Sequence, residues 1–594
     1  MVQDSTDQRL SIFKDTKPVP NRIAQIAPIA TKSITSLTYD DWFIYKRNLA
    51  VSQDMIPEDW RISGDSLFAT FDEVSRLIIG DGIAIVGHSK DIIETDRHLS
   101  AYSKIEDFRQ TPLYDLKASY DALSTVGIAF AKAYPLLGPI SQPTVYCKID
   151  DAYVFAQRQE TLEQIIANHQ NNATLNKDDA FKAMMTQLSS ASSLSIIENL
   201  NEKRFAAWSG SSANKTIQRV DLEHFPFGIV QFIQERDFMH IHSIISKNET
   251  INQEGTVAQI ASVKLGTDIA KAPQLVKNHR TKGMDIVIQD INNRLYLISN
   301  SGKILWSKEL DSPMLGDIQQ VDLYRNGRLQ LAFNTQNSFY ILDRNGNHVA
   351  PFPMEFEQEL SQPVAIFDYE NNRNYRFVIT QGDRITMYDK NSKKVSGFTF
   401  NQSETPVIYP PQHIRLGNKD YILIAENNGK LNILSRTGTS RITVKNTIDF
   451  GDTSFFKEGN AFGIYDINGF KVTINQQGTI TKTPTSYSSA TVFSNDNTAT
   501  ALNDNELVIK GKTITLDYGT YTPPVNYTVG RTRYSTITNT ESRAVFIYTD
   551  KGEKLENTPV YGLSPASLGY LERNKSLGFA VLGDTDTVLI YQIN

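Results

Sequence analysis

The sequence predicts two folds in one chain, an N-terminal α+β domain followed by an all-β propeller of eight four-stranded blades. Three observations predict it. The 594 residues exceed what one hydrophobic core can organise, helix-like and strand-like segments alternate only in the first part, and a strand–turn–strand unit recurs through the rest. We expect a flexible N-terminal segment over residues 1–35, an α+β domain over 36–250 and the propeller over 251–594.

Composition narrows the classes of function. The chain has 60 Lys+Arg against 66 Asp+Glu and a net charge of -6, so it lacks the basic field that nucleic-acid binding needs. Its apolar runs are strand-sized, which predicts no membrane span. The first residues lack the basic start and apolar centre of a secretory signal. The protein is therefore cytoplasmic if Met1 is the true start, or the sequence begins after a removed leader.

The α+β domain is predicted from five patterns. Strands are expected at IAIVGHSK, at the hairpin TVYCKIDDAYVFAQ, and at the pair FGIVQFIQE and DFMHIHSIISK, which ends the domain. The segments ETLEQIIANHQ and DDAFKAMMTQLS have the i, i+3, i+4 spacing of amphipathic helices. The polar stretch ISKNETINQEGT is expected to link the two domains.

The repeat is clearest at LYLISNSGKILWSKEL, residues 295–310, where a tight turn joins two strands. Related units follow at 328–343, 375–389 and 421–435, and weaker copies begin at 461, 500, 534 and 577. The turn glycines are Gly302, Gly346, Gly438, Gly478 and Gly552, and the third unit uses Lys393 instead. The period of about 40 to 46 residues is typical of four-stranded propeller blades.

Closure of the ring is predicted from the two ends of the repeat. The last copy, residues 577–594, ends without an outer strand, which would leave a bare sheet edge. The segment 259–266 has the pattern of an outer strand and precedes the first blade, so we expect it to complete the last one. This arrangement gives eight blades, with seven as the alternative because the sixth unit is short and irregular.

The first blade also carries a family resemblance. Gly302 and Trp306, preceded by LYLIS, resemble the repeat of quinoprotein-dehydrogenase-like propellers, and the resemblance extends over roughly residues 257–594. The propeller lipoprotein of the outer-membrane β-barrel assembly machinery shares this fold. An α+β domain followed by such a propeller is similar to a group of bacterial envelope proteins. The resemblance implies a cell-envelope or periplasmic location, an anchor in the full-length protein, and other envelope proteins as partners.

The sequence lacks the residues that bind the quinone cofactor in this family. Family members that bind pyrroloquinoline quinone use a vicinal cysteine pair and a calcium ion, and Cys147 is the only cysteine here. A cysteine inside the strand TVYCKI is interpreted as a small core residue. A ribonuclease-H-like acidic motif is also absent. We therefore expect no cofactor, with calcium as the one alternative.

Two loops provide the calcium candidates. Asp322 and Asn326 lie in one, and Asp368, Glu370 and Asn372 lie in the other, with oxygen-bearing side chains at alternating positions. The alternative is a turn in which Asp and Asn accept hydrogen bonds from their own backbone. Neither loop completes the acidic set of a calcium motif.

Other motifs in the first domain point away from catalysis. His240 and His242 alternate on a strand, so both imidazoles face one side and are candidate metal ligands, with an exposed histidine pair as the alternative. Gly87-His88-Ser89 lacks the nucleophile-elbow spacing, and Ser89 is expected to cap a helix that begins near residue 90. Asp150-Asp151 is interpreted as a hairpin turn. The stretch 209–212 is interpreted as a flexible loop.

Two classes of function follow. The first is a non-enzymatic envelope scaffold, in which a rigid propeller presents loops to another protein. The second is a divergent enzyme or small-ligand sensor with a site in the propeller channel or between the domains. The absence of a specific catalytic motif favours the scaffold.

Overall fold

The computed structural model describes residues 9–57, 60–62, 64–116, 126–200, 225–236, 238–247, 257–485, 491–493, 499–573 and 576–593. The chain divides into two compact units, Met1–Gln253 and Glu254–Asn594. The first is the α+β domain, and the second is the propeller.

A ten-stranded antiparallel sheet forms the first unit. Its strands are β1 (Ser33–Thr38), β2 (Phe71–Ile79), β3 (Gly82–Ser89), β4 (Ser103–Phe108), β5 (Thr111–Asp115), β6 (Val145–Ile149), β7 (Ala152–Ala156), β8 (Leu194–Asn199), β9 (Phe227–Glu235) and β10 (Phe238–Ile245). Their order across the sheet is β10-β9-β8-β1-β2-β3-β7-β6-β5-β4. The hairpins β6–β7 and β9–β10 are the ones that the sequence predicts.

Helices cover both faces of this sheet. They are α1 (Trp42–Val51), α2 (Asp65–Phe68), α3 (Ile92–Leu99), α4 (Val126–Ala133), α5 (Gln159–Gln170) and α6 (Asp179–Met185), with 3-10 helices at Arg9–Phe13, Ile23–Gln25, Pro135–Leu137 and Leu175–Lys177. Ile85 of β3 is buried in a cluster with α1, whereas its neighbours Ala84 and Val86 are buried in a second cluster with α5. Because alternate residues of a strand face opposite sides, burial of both faces explains the continuous apolar run of β3. The helices α5 and α6 confirm the two amphipathic patterns.

The N-terminal segment differs from the expected flexible one. From residue 9 onward it is packed, since Phe13, Ile23 and Ile26 are buried in the two cores. The first strand of the sheet begins at Ser33, inside the range assigned to the flexible segment. Single apolar residues between polar and proline residues thus enter the two cores, which a pattern based on polarity does not reveal.

The second unit contains the remaining strands. They are β11 (Val257–Lys264), β12 (Gln274–Lys277), β13 (Met284–Gln289), β14 (Arg294–Ser299), β15 (Ile304–Glu309), β16 (Leu315–Val321), β17 (Gln330–Asn334), β18 (Ser338–Leu342), β19 (Met354–Glu355), β20 (Ala365–Phe367), β21 (Arg376–Gln381), β22 (Arg384–Asp389), β23 (Gln412–Leu416), β24 (Lys419–Ala425), β25 (Leu431–Leu434), β26 (Ser440–Thr443), β27 (Phe456–Glu458), β28 (Ala461–Tyr465), β29 (Lys471–Ile474), β30 (Ile480–Thr483), β31 (Thr491–Phe493), β32 (Thr500–Asn503), β33 (Glu506–Ile509), β34 (Lys512–Thr515), β35 (Val525–Val529), β36 (Thr532–Asn539), β37 (Ala544–Thr549), β38 (Val560–Tyr561), β39 (Ser567–Tyr570), β40 (Leu577–Leu582) and β41 (Thr587–Ile593).

These strands form eight antiparallel sheets, one for each blade, which confirms the eight-bladed propeller. The first seven blades are β12–β15, β16–β19, β20–β22, β23–β26, β27–β30, β31–β34 and β35–β38, and the eighth is ordered β11-β41-β40-β39. Seven of the sheets have four strands, and the third has three. The sixth unit, which raised the alternative of seven blades, forms a sheet of its own.

The eighth blade takes its outer strand from the beginning of the propeller. Strand β11 pairs antiparallel with β41, from Val257 opposite Ile593 to Lys264 opposite Thr587, with a bulge between Gln259 and Ala261. The sequence assigned this role to residues 259–266. The pairing completes the edge of β41 and so joins the two ends of the ring.

The core of the propeller lies between the blades. In the described residues, buried apolar side chains form eight clusters, each shared by two neighbouring blades. One cluster joins Val588 and Ile590 of the eighth blade to Ile286 and Ile298 of the first. The ring is therefore closed by apolar packing as well as by strand pairing.

The repeated turn residue also lies against the preceding blade. At Gly346 (φ +82°), an added Cβ would meet the Trp306 ring on the outer strand of the first blade at 3.0 Å. In the third blade, the corresponding residue is Ser392, whose φ is +60° and whose N–H donates to Asp389 O at 3.1 Å, as Gly346 donates to Asp343. The sequence assignment of Lys393 was thus wrong by one residue, because a non-glycine residue holds the left-handed position there.

Candidate binding site between the third and fourth blades

Antiparallel blades place their connections on two faces. The loop between the first and second strands lies on the same face as the turn between the third and fourth strands, because strand direction alternates. We call this the AB–CD face. In the third blade it carries residues 368–375 and 390–393, and in the fourth blade it carries 435–439.

A pocket of about 240 Å³ opens on the AB–CD face between these blades. Its lining comes from the 368–375 loop, from Arg376 and Met387, and from Val395 and Gly397 beyond the last strand of the third blade. Arg436 and Thr437 of the fourth blade complete it. The third sheet lacks a regular fourth strand here, and its place is taken by isolated bridges at residues 394 and 402. The pocket is therefore built where one blade departs from the repeat.

Arg436 joins the walls of the pocket. Its guanidinium forms ion pairs with Glu370 at 2.9 Å and with Asp420 at 2.6 Å, and its Cζ lies 4.6 Å from the centre of the Tyr369 ring. Asp420 is buried, which strengthens a charge-assisted contact of this kind. Although partial burial opposes it, the two carboxylates raise the pKa of Arg436. The loop of the third blade is thereby fixed to the fourth.

Two polar atoms of the pocket side chains have unmet hydrogen-bonding capacity. The Tyr369 hydroxyl and the Arg436 Nε are buried and have no hydrogen-bond partner among the described residues. Burial raises the pKa of Tyr369, so the phenol stays protonated and can donate. Buried donors without acceptors are uncommon in folded proteins, and both of these belong to side chains that line the pocket.

Arg376 supplies a second guanidinium. It donates to Asn374 Oδ1 at 3.1 Å and to Tyr375 O at 3.0 Å. Within the described part of the chain, no carboxylate forms an ion pair with it. The pocket wall therefore carries one cation, Arg436, that is neutralised by protein carboxylates, and one, Arg376, that is not.

The calcium candidate Asp322 is occupied by protein donors. Its carboxylate accepts the backbone N–H of Asn326 at 3.0 Å and of Gly327 at 2.8 Å, and it pairs with Arg373 at 2.8 Å. Asn326 in turn accepts from the backbone of Arg328. This is the geometry of a turn in which an aspartate accepts hydrogen bonds from its own backbone, the alternative to a calcium loop.

The second candidate loop has the same construction. Asp368 accepts the backbone N–H of Asn372 at 3.0 Å and of Arg373 at 2.8 Å. Asn372 donates to Glu370 at 3.2 Å, and Glu370 pairs with Arg436. Glu370 and Asn372 therefore line the pocket, where they act as hydrogen-bond and ion-pair partners.

His240 and His242 lie on the edge strand β10 and are exposed. Their ring centres are 6.3 Å apart, so the rings are neighbours, as the alternation predicts. His240 Nε2 lies 3.1 Å from Glu235 Oε2. Across the described ranges of the chain, no group of three or more His, Cys, Asp or Glu side chains is placed to hold a metal ion.

The Gly87-His88-Ser89 motif is part of a buried charge cluster. His88 is fully buried, with Nδ1 at 3.4 Å from Asp151 and Nε2 at 3.9 Å from Glu73. Ser89 accepts the N–H of Asp91, but the carboxylate of Asp91 is the group that caps α3. The prediction that Ser89 caps the helix was therefore wrong by two residues, since the chain extends through 90–91 before the helix begins.

Arg22 connects this cluster to the N-terminal segment. Its guanidinium pairs with Asp72 and with Asp151, the latter at 2.5 Å, and its backbone N–H donates to the buried Glu73 at 2.6 Å. Asp150 and Asp151 form the turn of β6–β7, as the sequence predicts, with Asp150 at φ +54°. The contacts to His88 and Arg22 lower the pKa of Asp151.

Two remaining expectations concern Cys147 and the loop at 209–212. Cys147 is buried in β6, and burial raises the pKa of its thiol, which fits the interpretation as a core residue. The loop at 209–212 lies outside the described residues. None of the helices in the described part of the chain combines the length and apolar character of a membrane span.

The sequence alone missed Arg376, Arg436 and Tyr369. These residues come together because a loop of one blade and a turn of the next lie on the same face of the propeller. That arrangement depends on the order of the strands, which the local sequence does not show. The oxygen-rich composition of 368–374 drew attention to the loop that lines the pocket, with calcium as the candidate ligand.

Known proteins with some similarity to this chain are found among solved structures. No protein-family model matches the chain, and no curated protein matches it either. Among solved structures, it is similar to BBS1N in complex with ARL6DN (11% identity, TM-score 0.37, covering 57% of this chain and 98% of that one). It is also similar to the Pan2 WD40 domain of Neurospora crassa (12%, 0.32, 57% and 95%) and to BamB of Moraxella catarrhalis (14%, 0.28, 57% and 99%). The assignment of the propeller rests on its sheet order and ring closure.

Proposed function

We propose that this protein is a non-enzymatic scaffold that binds another protein through the AB–CD face at the third and fourth blades. The observation that carries the proposal is the pocket between these blades, whose lining includes Tyr369 and Arg436, each with a buried polar atom that has no hydrogen-bond partner in the described part of the chain. Tyr and Arg are among the side chains that contribute most to binding at protein interfaces.

The ring makes this surface rigid. Strand pairing between β11 and β41 and the apolar cluster shared by the eighth and first blades complete the circle. Arg436 fixes the loop of the third blade against the fourth through Glu370 and Asp420. A preformed surface loses little conformational entropy on binding, which favours recognition of a partner.

We further propose that the protein works in the cell envelope with envelope proteins as partners. The support is the resemblance of the Gly302 and Trp306 repeat to that of envelope propellers. Fractionation of cells that make the full-length protein tests the location. Recovery in the cytoplasmic fraction alone contradicts it and leaves the binding surface unaffected.

Site-specific photo-crosslinking in such cells tests the binding surface. A photo-crosslinking residue in place of Thr437, which is exposed on the AB–CD face, should capture a discrete protein that mass spectrometry identifies. The matched control is the same substitution at Asn428, an exposed residue in the turn on the opposite face of the same blade. Equal capture at both positions, or none at Thr437, contradicts the proposal.

A further inference from the structure

We propose that the pocket binds one carboxylate, the side chain of a Glu or Asp presented by a partner polypeptide, and that Arg376 is its main ligand. This inference rests on the proposed function, because it names the group that the partner inserts. It assigns Arg376 a role beyond the fold, since this guanidinium has no carboxylate partner within the described residues.

The charges of the pocket favour a single negative group. Glu370 and Asp420 both pair with Arg436, and Asp420 also lies 3.9 Å from the Arg415 guanidinium, so these two carboxylates face two guanidinium groups of the protein. Arg376 remains as one cation on the wall. A monoanion neutralises it, whereas a phosphate would bring about two charges close to Glu370. Guanidinium groups bind planar carboxylates through two parallel hydrogen bonds, so Arg376 suits this ligand in shape as well as charge.

Two polar groups of the pocket side chains lack a hydrogen-bond acceptor among the described residues. The Tyr369 hydroxyl and Arg436 Nε belong to lining side chains and can each donate a hydrogen bond. A carboxylate has no donor and about four acceptor positions, so it can accept two hydrogen bonds from Arg376 and keep acceptor positions for other donors of the lining. A neutral amide of the same size offers only one acceptor oxygen. Its N–H donors would also face the N–H and O–H donors of the pocket lining.

Size and apolar lining indicate a side chain of a polypeptide. The volume of about 240 Å³ lies below the roughly 300 to 1,000 Å³ of pockets for drug-sized ligands. Met387 and Val395 provide an apolar wall for the methylene groups that precede a side-chain carboxylate. The pocket also lies at the groove between two blades on the AB–CD face, where a polypeptide can reach it.

Methyl NMR of the full chain tests the proposal, because Met387 reports from inside the pocket. The protein is labelled with 13C at the methionine methyl groups, and Met387→Leu assigns the signal among the nine methionines. The probe is an N-acetylated, C-amidated Gly-Leu-Glu-Leu-Gly peptide, and its Gln counterpart is the control. We expect the Glu peptide to shift the Met387 signal saturably, and the Gln peptide to bind at least about tenfold more weakly.

Three variants locate the binding. Arg376→Gln should lose at least about tenfold in affinity for the Glu peptide, and Arg376→Lys should lose less because it retains the charge. Arg384→Gln, an exposed arginine at the other end of the hairpin, is the matched control and should bind normally. Gly397→Leu should fill part of the pocket and leave the polar side chains of the lining unchanged. Gly397 lines the pocket, and a Cβ there meets no atom within 4 Å.

Specific outcomes overturn the inference. Equal binding of the Glu and Gln peptides, or normal binding by either Arg376→Gln or Gly397→Leu, contradicts a carboxylate bound to Arg376 in this pocket. Propionate binding as tightly as the peptide assigns the pocket to free small acids, and tighter binding of inorganic phosphate assigns it to phosphate. If Thr437 captures a protein but the Glu peptide leaves Met387 unmoved, the carboxylate inference fails and the scaffold stands. If the peptide binds but Thr437 captures nothing, the proposed function fails.

Discussion

Gly302 lies so close to Ala261 that a Cβ on the glycine would be 2.8 Å from the alanine Cβ. Gly302 belongs to the turn of the first blade, and Ala261 belongs to the strand that closes the eighth. The turn that identifies the repeat in the sequence is therefore also a contact across the seam of the ring.

Gly302→Ala should destabilise the propeller more than Gly327→Ala. Both glycines have positive φ, at +85° and +78°, but a Cβ at Gly327 meets nothing within 4 Å. Gly327→Ala is expected to lower the free energy of unfolding by about 1–2 kcal/mol from backbone strain, and Gly302→Ala by about 1–3 kcal/mol more from the clash. Urea-induced unfolding followed by circular dichroism measures both. Equal losses would show that the seam contact is unimportant.

A disulfide across the seam should form and stabilise the ring. Ala258 of β11 lies opposite Gln592 of β41, so cysteines at both positions are expected to join on oxidation. The link encloses more than 300 residues and should raise the free energy of unfolding by up to about 5 kcal/mol. Non-reducing electrophoresis detects the link. A control pair, Ala258→Cys with Thr528→Cys on the seventh blade, should stay reduced, and a link there or none at the seam contradicts the closure.

Glu73→Ala should strongly destabilise the first unit. The fully buried carboxylate accepts from Arg22 N at 2.6 Å and from Ser36 Oγ at 2.7 Å. Its removal leaves buried donors unsatisfied, which is expected to cost about 3 kcal/mol in the free energy of unfolding. Glu235→Ala, at an exposed position, is the control and should change it by less than about 0.5 kcal/mol. A similar small effect for Glu73→Ala would mean that the cluster does not hold the N-terminal segment.

The contribution of Asp151 to stability should vanish in acid. His88 and Arg22 lower the pKa of Asp151 in the folded state. Its contribution is therefore complete above the ordinary pKa of aspartate, near 4, and is lost as the pH falls through the lower folded value. The difference in unfolding free energy between wild type and Asp151→Asn should be largest near neutral pH and shrink as the pH falls below about 4. A difference that stays constant over this range contradicts the assignment.

Calcium should leave the unfolding midpoint unchanged. The carboxylates of Asp322 and Asp368 already accept backbone N–H groups, and Arg373 pairs with Asp322. Thermal unfolding with and without millimolar calcium measures the effect, with Asp322→Asn as the variant. A midpoint that calcium raises in the wild type and not in Asp322→Asn would contradict this prediction and identify the Asp322 loop as a calcium site.

Local patterns predicted the propeller because each blade is a local unit. A hairpin such as β28–β29 is set by residues that are near in sequence, and its turn chemistry is visible there. The closing strand was also recognisable, since the last unit lacked an edge partner. The order of the first sheet was not, because β1 pairs with β8, more than 150 residues away.

The pocket was only partly foreseen for a similar reason. Glu370 and Asn372 stand in an oxygen-rich loop that the sequence singled out, but their partner Arg436 belongs to the next blade. Tyr369 gave no signal, because an aromatic residue after a strand is common in any β protein. The contacts between loops of neighbouring blades depend on the assembled ring, and the ring forms only from all the repeats together.

The closing pair has a consequence for synthesis of the protein on the ribosome. Strand β11 is made before any blade, whereas its partner β41 is the last strand of the ring to emerge. Until β41 has emerged, β11 has no strand to pair with, and the unfinished ring has an open edge that can pair with other chains. A chain that terminates anywhere between β11 and β41 therefore cannot close, and its unpaired edge is a feature that quality control can recognise.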